Sequence, residues 1–424
     1  MKAATDKTKK IILIIGVLLI GGTLLLNEQL LAALFPDSLM TMPAGLKIGV
    51  LVVDALFALA VIFLLVSRRP PARISADVLV GIGFTLFLLA GIEVAFYYLN
   101  QQKQGHMGEV VFEFTTGGES GGVSFSGEHP RALFERDDWL GYRPVPNTQV
   151  IASRKAAEEL LYRVHYSIDS VGRRVTPVDP LSPHPEYILF FGGSYTFGEG
   201  VNDDQTMPYY VSALAPAYRA YNYGAGGYGP QQMLAKLQSE DMTAEIEEPQ
   251  GMLIYTFIGE HILRAIGSMR IHIQRGEVMP YYYIDTAGNL IRQGDLASGR
   301  PGLSILYSIL GKSQTLKLFN IDIPLKLSEE DFRVTARIIE EARNVYREKF
   351  GSDRFYVLIY PGFGAPELLP YLDAANITYL DYSDLPDIYN EDFWLGEGHP
   401  TAKAHRIVAE KLVQDLGLQE SAEK

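Results

Sequence analysis

The hydrophobic pattern divides the chain into two regimes. In the first hundred residues three nearly unbroken apolar runs, 11–31, 46–66 and 78–99, carry bulky aliphatic residues at every helical angle. Each approaches the ~20 residues needed to cross about 30 Å of hydrocarbon at ~1.5 Å per residue. Apolarity on all faces predicts spanning helices rather than amphipathic surface helices. Residues 101–129 are rich in Gly, Ser and Glu, with Gly117-Gly118-Glu119-Ser120-Gly121-Gly122 at the centre, and predict a flexible tether. From Pro130 the pattern becomes globular. Residues 162–168 alternate and end at Ser170-Val171-Gly172, which predicts a strand and turn.

Beyond Pro185 short apolar stretches alternate with helical ones. Strands are predicted at 187–191, 218–223, 251–258 and 354–360, and helices at 205–214, 231–239, 329–350 and 402–416. Residues 281–291 predict a hairpin turning at Ala287-Gly288-Asn289. Apolar strands between helices imply a parallel sheet covered on both faces. The expected organisation is a membrane anchor of three transmembrane helices in 1–100, a linker in 101–129 and an α/β domain in 130–424. That domain is expected to be a three-layer α/β/α sandwich. No internal repeat is apparent.

Charge orients the anchor. Lys2, Lys7, Lys9 and Lys10 precede the first run, and Arg68, Arg69 and Arg73 separate the second from the third, whereas 28–47 is poor in basic residues. Positive loops stay cytoplasmic. The N-terminus is therefore expected inside and the domain after residue 99 outside, as in an integral protein of a bacterial inner (plasma) membrane. A cleaved signal peptide is the alternative for the first run, but its core is long and no clear small-residue cleavage site follows. Cleavage would leave the domain on the same side. Two acids interrupt the runs, Asp54 and Glu93. Intramembrane acids are costly, so both are candidate functional groups; the alternative is an interfacial carboxylate, or one paired with Lys47.

The net charge of −13 and pI near 5.2 oppose a phosphate backbone and exclude nucleic acid as a partner. With no cysteine, disulfides, thiolate metal sites and a cysteine nucleophile are excluded. No His/Asp/Glu spacing suggests a dedicated metal site.

The chemistry concentrates at two places. The apolar run 187–191 leads directly into Gly192-Gly193-Ser194-Tyr195-Thr196-Phe197-Gly198. Ligands gather at the carboxyl ends of strands in open α/β sheets, so Ser194 is a candidate nucleophile near a helix N-terminus. A turn with an N-cap serine reads the same residues equally well. The stretch is not a Gly-x-Ser-x-Gly elbow, because Thr196 takes the last position. A serine needs a base, and His399, in Trp394-Leu395-Gly396-Glu397-Gly398-His399-Pro400 before the last helix, is the best candidate. Glu397 is placed to orient it, with Asp392 as the alternative acid; a capping histidine is the competing interpretation. Gly224-Ala225-Gly226-Gly227-Tyr228-Gly229 also fits a dinucleotide fingerprint, with Glu247 and Glu248 downstream. Its position after the second βα unit and outside the cytoplasm disfavours that reading, and no cofactor is expected. Gly311-Lys312-Ser313 lacks the earlier glycine of a phosphate loop, where Leu306 stands.

Taken together, these blocks resemble the SGNH (GDSL-type) hydrolases over roughly 187–416. Gly193-Ser194 is similar to the first block, with Gly193 for the usual Asp, and the resemblance makes Ser194 the nucleophile. Asn222 to Pro230 resembles the second, with Gly227 as its oxyanion-hole glycine. Gly259-Glu260-His261 takes the third, with His261 for the usual asparagine. Glu397-Gly398-His399-Pro400 resembles the last, with Glu397 for Asp and a shortened spacing. The resemblance implies an α/β/α fold, a Ser194–His399–Glu397 catalytic set and an oxyanion hole from Ser194, Gly227 and His261. It implies an esterase or O-acyltransferase acting on an acylated envelope glycan or lipid. The departures leave a second expectation open: a catalytically inactive membrane protein that binds glycan or a partner protein.

Overall fold

The computed structural model describes residues 89–100, 111–116, 133–156, 159–178, 183–239, 242–276, 278–385 and 390–419. The first two apolar runs, the start of the third and Asp54 lie outside these residues. The described chain falls into two units: 89–100 with 309–321, and the remainder. Among the described residues no helix is long and apolar enough to cross a membrane.

In the first unit residues 89–100, the end of the third run, form helix α1. Glu93 binds the start of a short helix at 314–318. Its carboxylate accepts from the Ser313 hydroxyl at 2.7 Å, the Thr315 N–H at 3.3 Å and the Gln314 N–H. Two turns further along α1, the Asn100 amide donates to the Gln314 main-chain and side-chain oxygens, each at 3.1 Å. An acid in an apolar run thus has a structural partner: exposed N–H groups of a helix start.

The second unit begins with strand β1 (Val111–Thr116), which pairs antiparallel with later residues. Six residues of the expected tether are therefore a strand. The two-residue alternation in Val111-Phe112-Glu113-Phe114 carries that signal, which the surrounding glycines obscure. Strands β2 (Phe134–Asp137) and β3 (Gly141–Pro144) form a hairpin. Strands β4 (Gln149–Ala156) and β5 (Glu159–Ser167) complete a three-stranded sheet in the order β1-β4-β5.

The parallel sheet starts at β6 (Glu186–Phe191), followed by one turn of helix, α2 (Ser194–Phe197), then α3 (Met207–Leu214). Strand β7 (Tyr218–Asn222), helix α4 (Pro230–Ser239) and strand β8 (Gln250–Phe257) follow. Helices α5 (Glu260–Ile266) and α6 (Met269–Arg275) lead to the hairpin β9 (Pro280–Ile284) and β10 (Leu290–Asp295). Helices α7 (Leu296–Gly299), α8 (Pro301–Leu310) and α9 (Gln314–Leu318) precede the long α10 (Glu329–Phe350). Strand β11 (Phe355–Ile359), α11 (Leu369–Ala374), β12 (Thr378–Asp381) and α12 (Ala402–Asp415) end the fold.

The five-stranded sheet has the order β12-β11-β8-β6-β7, and every pair in it is parallel. Its strands are buried on both faces, which is why they read as continuous apolar runs. In β6, Tyr187, Leu189 and Phe191 face one core, while Ile188 and Phe190 face the other. Helix α10 covers the first face with Val334, Ile338, Ile339, Ala342 and Tyr346, at helical spacing. Helices α3 and α12 cover the second with Met207, Val211, Val408 and Leu412. Ser328 starts α10 with a capping box to Asp331, worth about 1 kcal/mol. The strand order reverses between β6 and β8, since the chain leaves β6 for β7 on one side and returns to β8 on the other. Crevices open at such switch points.

Candidate active site

Ser194 stands at the carboxyl end of β6, His261 just beyond β8 and Gly227 in the loop after β7. These are three adjacent strands of the sheet. The serine begins α2, so its N–H belongs to the first turn, where amides lack intrahelical acceptors. Ser194 is 7% exposed.

The loop 394–400 carries the other two groups. It closes on itself: the Leu395 N–H donates to the His399 carbonyl and the Gly398 N–H to the Leu395 carbonyl, both at 2.8 Å. Gly398 has φ +95°, which permits a turn tight enough to present Glu397 and His399 together. The Tyr195 hydroxyl donates to the Gly398 carbonyl at 2.8 Å and ties this turn to α2. His399 Nε2 lies 2.8 Å from Ser194 Oγ, and His399 Nδ1 lies 2.5 Å from Glu397 Oε2. Asp392 is exposed, and the acid at Nδ1 is Glu397.

The Glu397 side chain is 1% exposed and also meets Arg154 Nη1, from β4, at 3.4 Å. A second carboxylate, Glu199, lies 3.6 Å from His399 Nε2. Burial alone pushes the His399 pKa down, but the negative charges of Glu199 and Glu397 outweigh it. The net value is above the ordinary 6.5.

His261 is buried, and burial, with the nearby Arg264 charge, holds its pKa well below 6.5. It is therefore a neutral imidazole at pH 7. Its Nδ1 lies 2.7 Å from the Tyr255 hydroxyl. Burial pushes the Tyr255 pKa well up, so that hydroxyl keeps its proton. If the hydroxyl donates this proton to Nδ1, the imidazole hydrogen stands on Nε2. His261 Nε2 is buried and has no hydrogen-bond partner among the described residues. A buried polar nitrogen without a partner beside Ser194 is a candidate contact for a group supplied from outside the protein.

The Gly193 and His261 departures belong together. A Cβ at Gly193 would fall 2.7 Å from Arg264 Nη1 and 3.1 Å from His261 Nε2. The glycine leaves the space that these two nitrogens take. Arg264 is 4% exposed, donating to the Tyr228 carbonyl at 2.8 Å and to Glu260 at 2.5 Å.

Gly227 has φ +81° in a loop anchored by the Tyr142 hydroxyl, which donates to the Gly226 carbonyl at 2.8 Å. A Cβ at Gly227 would come within 2.6 Å of Arg275 and Tyr142 atoms. At Gly224 it would come within 2.5 Å of the Phe197 nitrogen. The glycines of the 224–229 motif thus serve close packing of protein on protein. Glu248 binds the Tyr221 hydroxyl at 2.9 Å, and Glu247 binds Arg219 at 2.9 Å, so both acids are engaged.

The β2–β3 hairpin, through Tyr142, and the three-stranded sheet, through Tyr162 and Tyr166 of β5, pack on this side with Phe197, Ala225 and Tyr228. Arg174, 1% exposed, holds the segment after Ser194 in place. It donates to the carbonyls of Phe197 (3.0 Å), Gly198 (2.8 Å), Val201 (2.7 Å) and His165 (3.0 Å), and to Asp203 at 2.9 Å. Sequence reasoning did not find Arg154, Arg174, Glu199, Tyr255 or Arg264. Arg264 and Glu199 were within reach: one lies three residues past His261 on its helix, the other five past Ser194. Arg154 and Arg174 carried no local signal. Among the described residues no group of three or more His, Asp or Glu side chains could hold a metal.

No family model and no curated protein matches the chain. Several solved structures are similar to it. A lipolytic protein of the G-D-S-L family from Veillonella parvula DSM 2008 is 16% identical, over 54% of this chain and 97% of that one, with TM-score 0.32. A family two carbohydrate esterase from Clostridium thermocellum, in complex with cellohexaose, is 8% identical over 66% and 83%, with TM-score 0.34. An acetyl xylan esterase from the rumen bacterium Butyrivibrio proteoclasticus is 13% identical over 74% and 84%, with TM-score 0.32. Similarity at this level assigns no activity to this chain. The fold and site themselves define an α/β protein with a parallel sheet and a hydrogen-bonded serine–histidine–glutamate set at its carboxyl edge.

Proposed function

We propose that the second unit is a serine-dependent esterase or O-acyltransferase of the SGNH type, held outside the cytoplasm by the N-terminal apolar runs. Its substrate is an acylated envelope glycan or lipid. The observation that carries this reading is the chain Ser194 Oγ–His399 Nε2 (2.8 Å), His399 Nδ1–Glu397 Oε2 (2.5 Å).

In this mechanism Ser194 Oγ attacks the acyl carbonyl while His399 Nε2 takes its proton. Glu397 keeps the other imidazole proton on Nδ1 and stabilises the imidazolium. The tetrahedral oxyanion accepts hydrogen bonds from the Ser194 and Gly227 N–H groups and from His261 Nε2–H, which has no partner among the described residues. As the ester C–O bond breaks, His399 returns its proton to the departing alkoxide. A hydroxyl then attacks the acyl-enzyme, losing its proton to His399, and Ser194 leaves with that proton. If the attacking hydroxyl belongs to water the result is hydrolysis; if it belongs to a sugar, acyl transfer. No metal or cofactor enters these steps.

The test is a fluorophosphonate probe with p-nitrophenyl acetate turnover on the purified full chain. Labelling and turnover that vanish in Ser194→Ala support the enzyme. A folded wild-type protein that neither labels nor turns over at neutral pH points instead to a non-catalytic binder of glycan or of a membrane partner protein.

A further inference from the structure

The first unit couples a stretch of chain lying between α8 and α10 to the end of an apolar run. Glu93 and Asn100, seven residues apart, both bind Gln314, and Phe96 packs edge-on against Phe319 with ring centroids 5.8 Å apart. Positions 93, 96 and 100 share one face of α1. Seven residues of helix cover about 10 Å, so residues 313–319 lie alongside α1 over that length rather than beyond its end.

Residues 309–321, from the end of α8 onward, expose large apolar side chains. Ile309 and Phe319 are each 62% exposed, and Ile321 is 36% exposed. On α1 itself Leu89, Ile92 and Leu99 are exposed too. Helix α8 already leaves Leu303, Ile305 and Leu306 exposed where it leads into this stretch. Lys312 and Lys317, both exposed, lie between Ile309 and Phe319. Apolar residues interleaved with lysine suit a lipid interface: the rings and branched chains meet acyl groups, while long cationic side chains reach the phosphates.

We infer that residues 309–321 form an interfacial element seated in the outer leaflet of the bilayer beside α1, with Ile309, Phe319 and Ile321 against acyl chains. This rests on the proposal that run 78–99 spans the membrane. Lipid is the occupant because α1 sets the depth: a segment alongside residues 93–100 of a spanning helix lies at or below the outer boundary of the hydrocarbon. The lysines in turn match anionic headgroups.

The chain has no cysteine, so single sites can be labelled without background. Nitroxides are attached to Phe319→Cys, Ile309→Cys and Leu89→Cys in the full chain. The labelled proteins are reconstituted in vesicles of phosphatidylethanolamine and phosphatidylglycerol. Collision with oxygen, which partitions into lipid, is compared with collision with a water-soluble nickel chelate. The expected result is a several-fold preference for oxygen at all three sites, and for the nickel chelate at the exposed control Arg406→Cys. Oxygen preference at 89 with nickel preference at 309 and 319 overturns the interfacial element alone. Nickel preference at 89 overturns the spanning reading and this inference with it. Low access of both reagents at 309 and 319 shows protein cover instead, such as runs 11–31 or 46–66, and overturns lipid as the occupant.

Discussion

Glu199 Oε2 stands 3.6 Å from His399 Nε2, the nitrogen that also faces Ser194, whereas Glu397 binds the opposite nitrogen. The imidazole therefore lies between two carboxylates. Both favour its protonated form, and together they overcome the effect of burial.

This arrangement predicts a pH profile. A base must be neutral to accept a proton, so the acid limb of kcat/KM should report a value above 6.5. Glu199→Gln removes one stabilising charge and should move that limb to lower pH, raising activity at pH 6 relative to pH 8. A limb that stays in place or rises would remove Glu199 from any influence on His399.

The base itself is tested by His399→Gln, which keeps some bulk but cannot take the proton at neutral pH. Turnover should fall by about 10³-fold or more, with KM changing far less. Retention of full turnover would exclude His399 from the mechanism.

His261 is expected to act on the transition state. His261→Phe should lower kcat by about 10²-fold, since one oxyanion donor is lost. His261→Asn, which keeps an N–H donor, should recover part of that loss. Tyr255→Phe leaves the donor present but its tautomer unset, so its effect should be smaller than that of His261→Phe. Equal rates for the Phe and Asn variants would mean that the buried Nε2–H is not used.

Arg174 is predicted to be structural. Removing its guanidinium in Arg174→Leu takes a buried donor from each of the carbonyls of Phe197, Gly198 and Val201 and the ion partner from Asp203. Stability should fall by about 3 kcal/mol or more. Thermal or denaturant unfolding of the full chain in detergent checks this. A change under 1 kcal/mol would show that solvent or neighbouring groups satisfy these oxygens.

Much of the second unit was legible in its sequence because its cues are local. A parallel strand buried on both faces must be apolar throughout, so β6, β8 and β11 stand out. A long helix against a sheet must repeat its apolar side at 3.6 residues, so α10 was read with its observed ends. Ser194 and His399 were legible for a related reason: each sits where a strong element meets a glycine-containing loop. By contrast, β2, β3 and β4 contain few bulky apolar residues, and β12 is only four residues long. Their strand character comes from pairing, which a local window does not record. The 101–129 stretch shows the same limit, since its strand β1 exists through its partner β4.

Sequence by itself determined the alternation of apolar strands and helices, the three apolar runs and the residue types able to do acyl chemistry, because these are properties of short windows. Only the tertiary structure decided that Glu397 rather than Asp392 meets His399, that Glu199 joins them, and that Gly193, His261 and Arg264 fill one space. The physical reason is distance along the chain: a hydrogen bond of 2.8 Å between residues 205 positions apart depends on the stacking of whole elements.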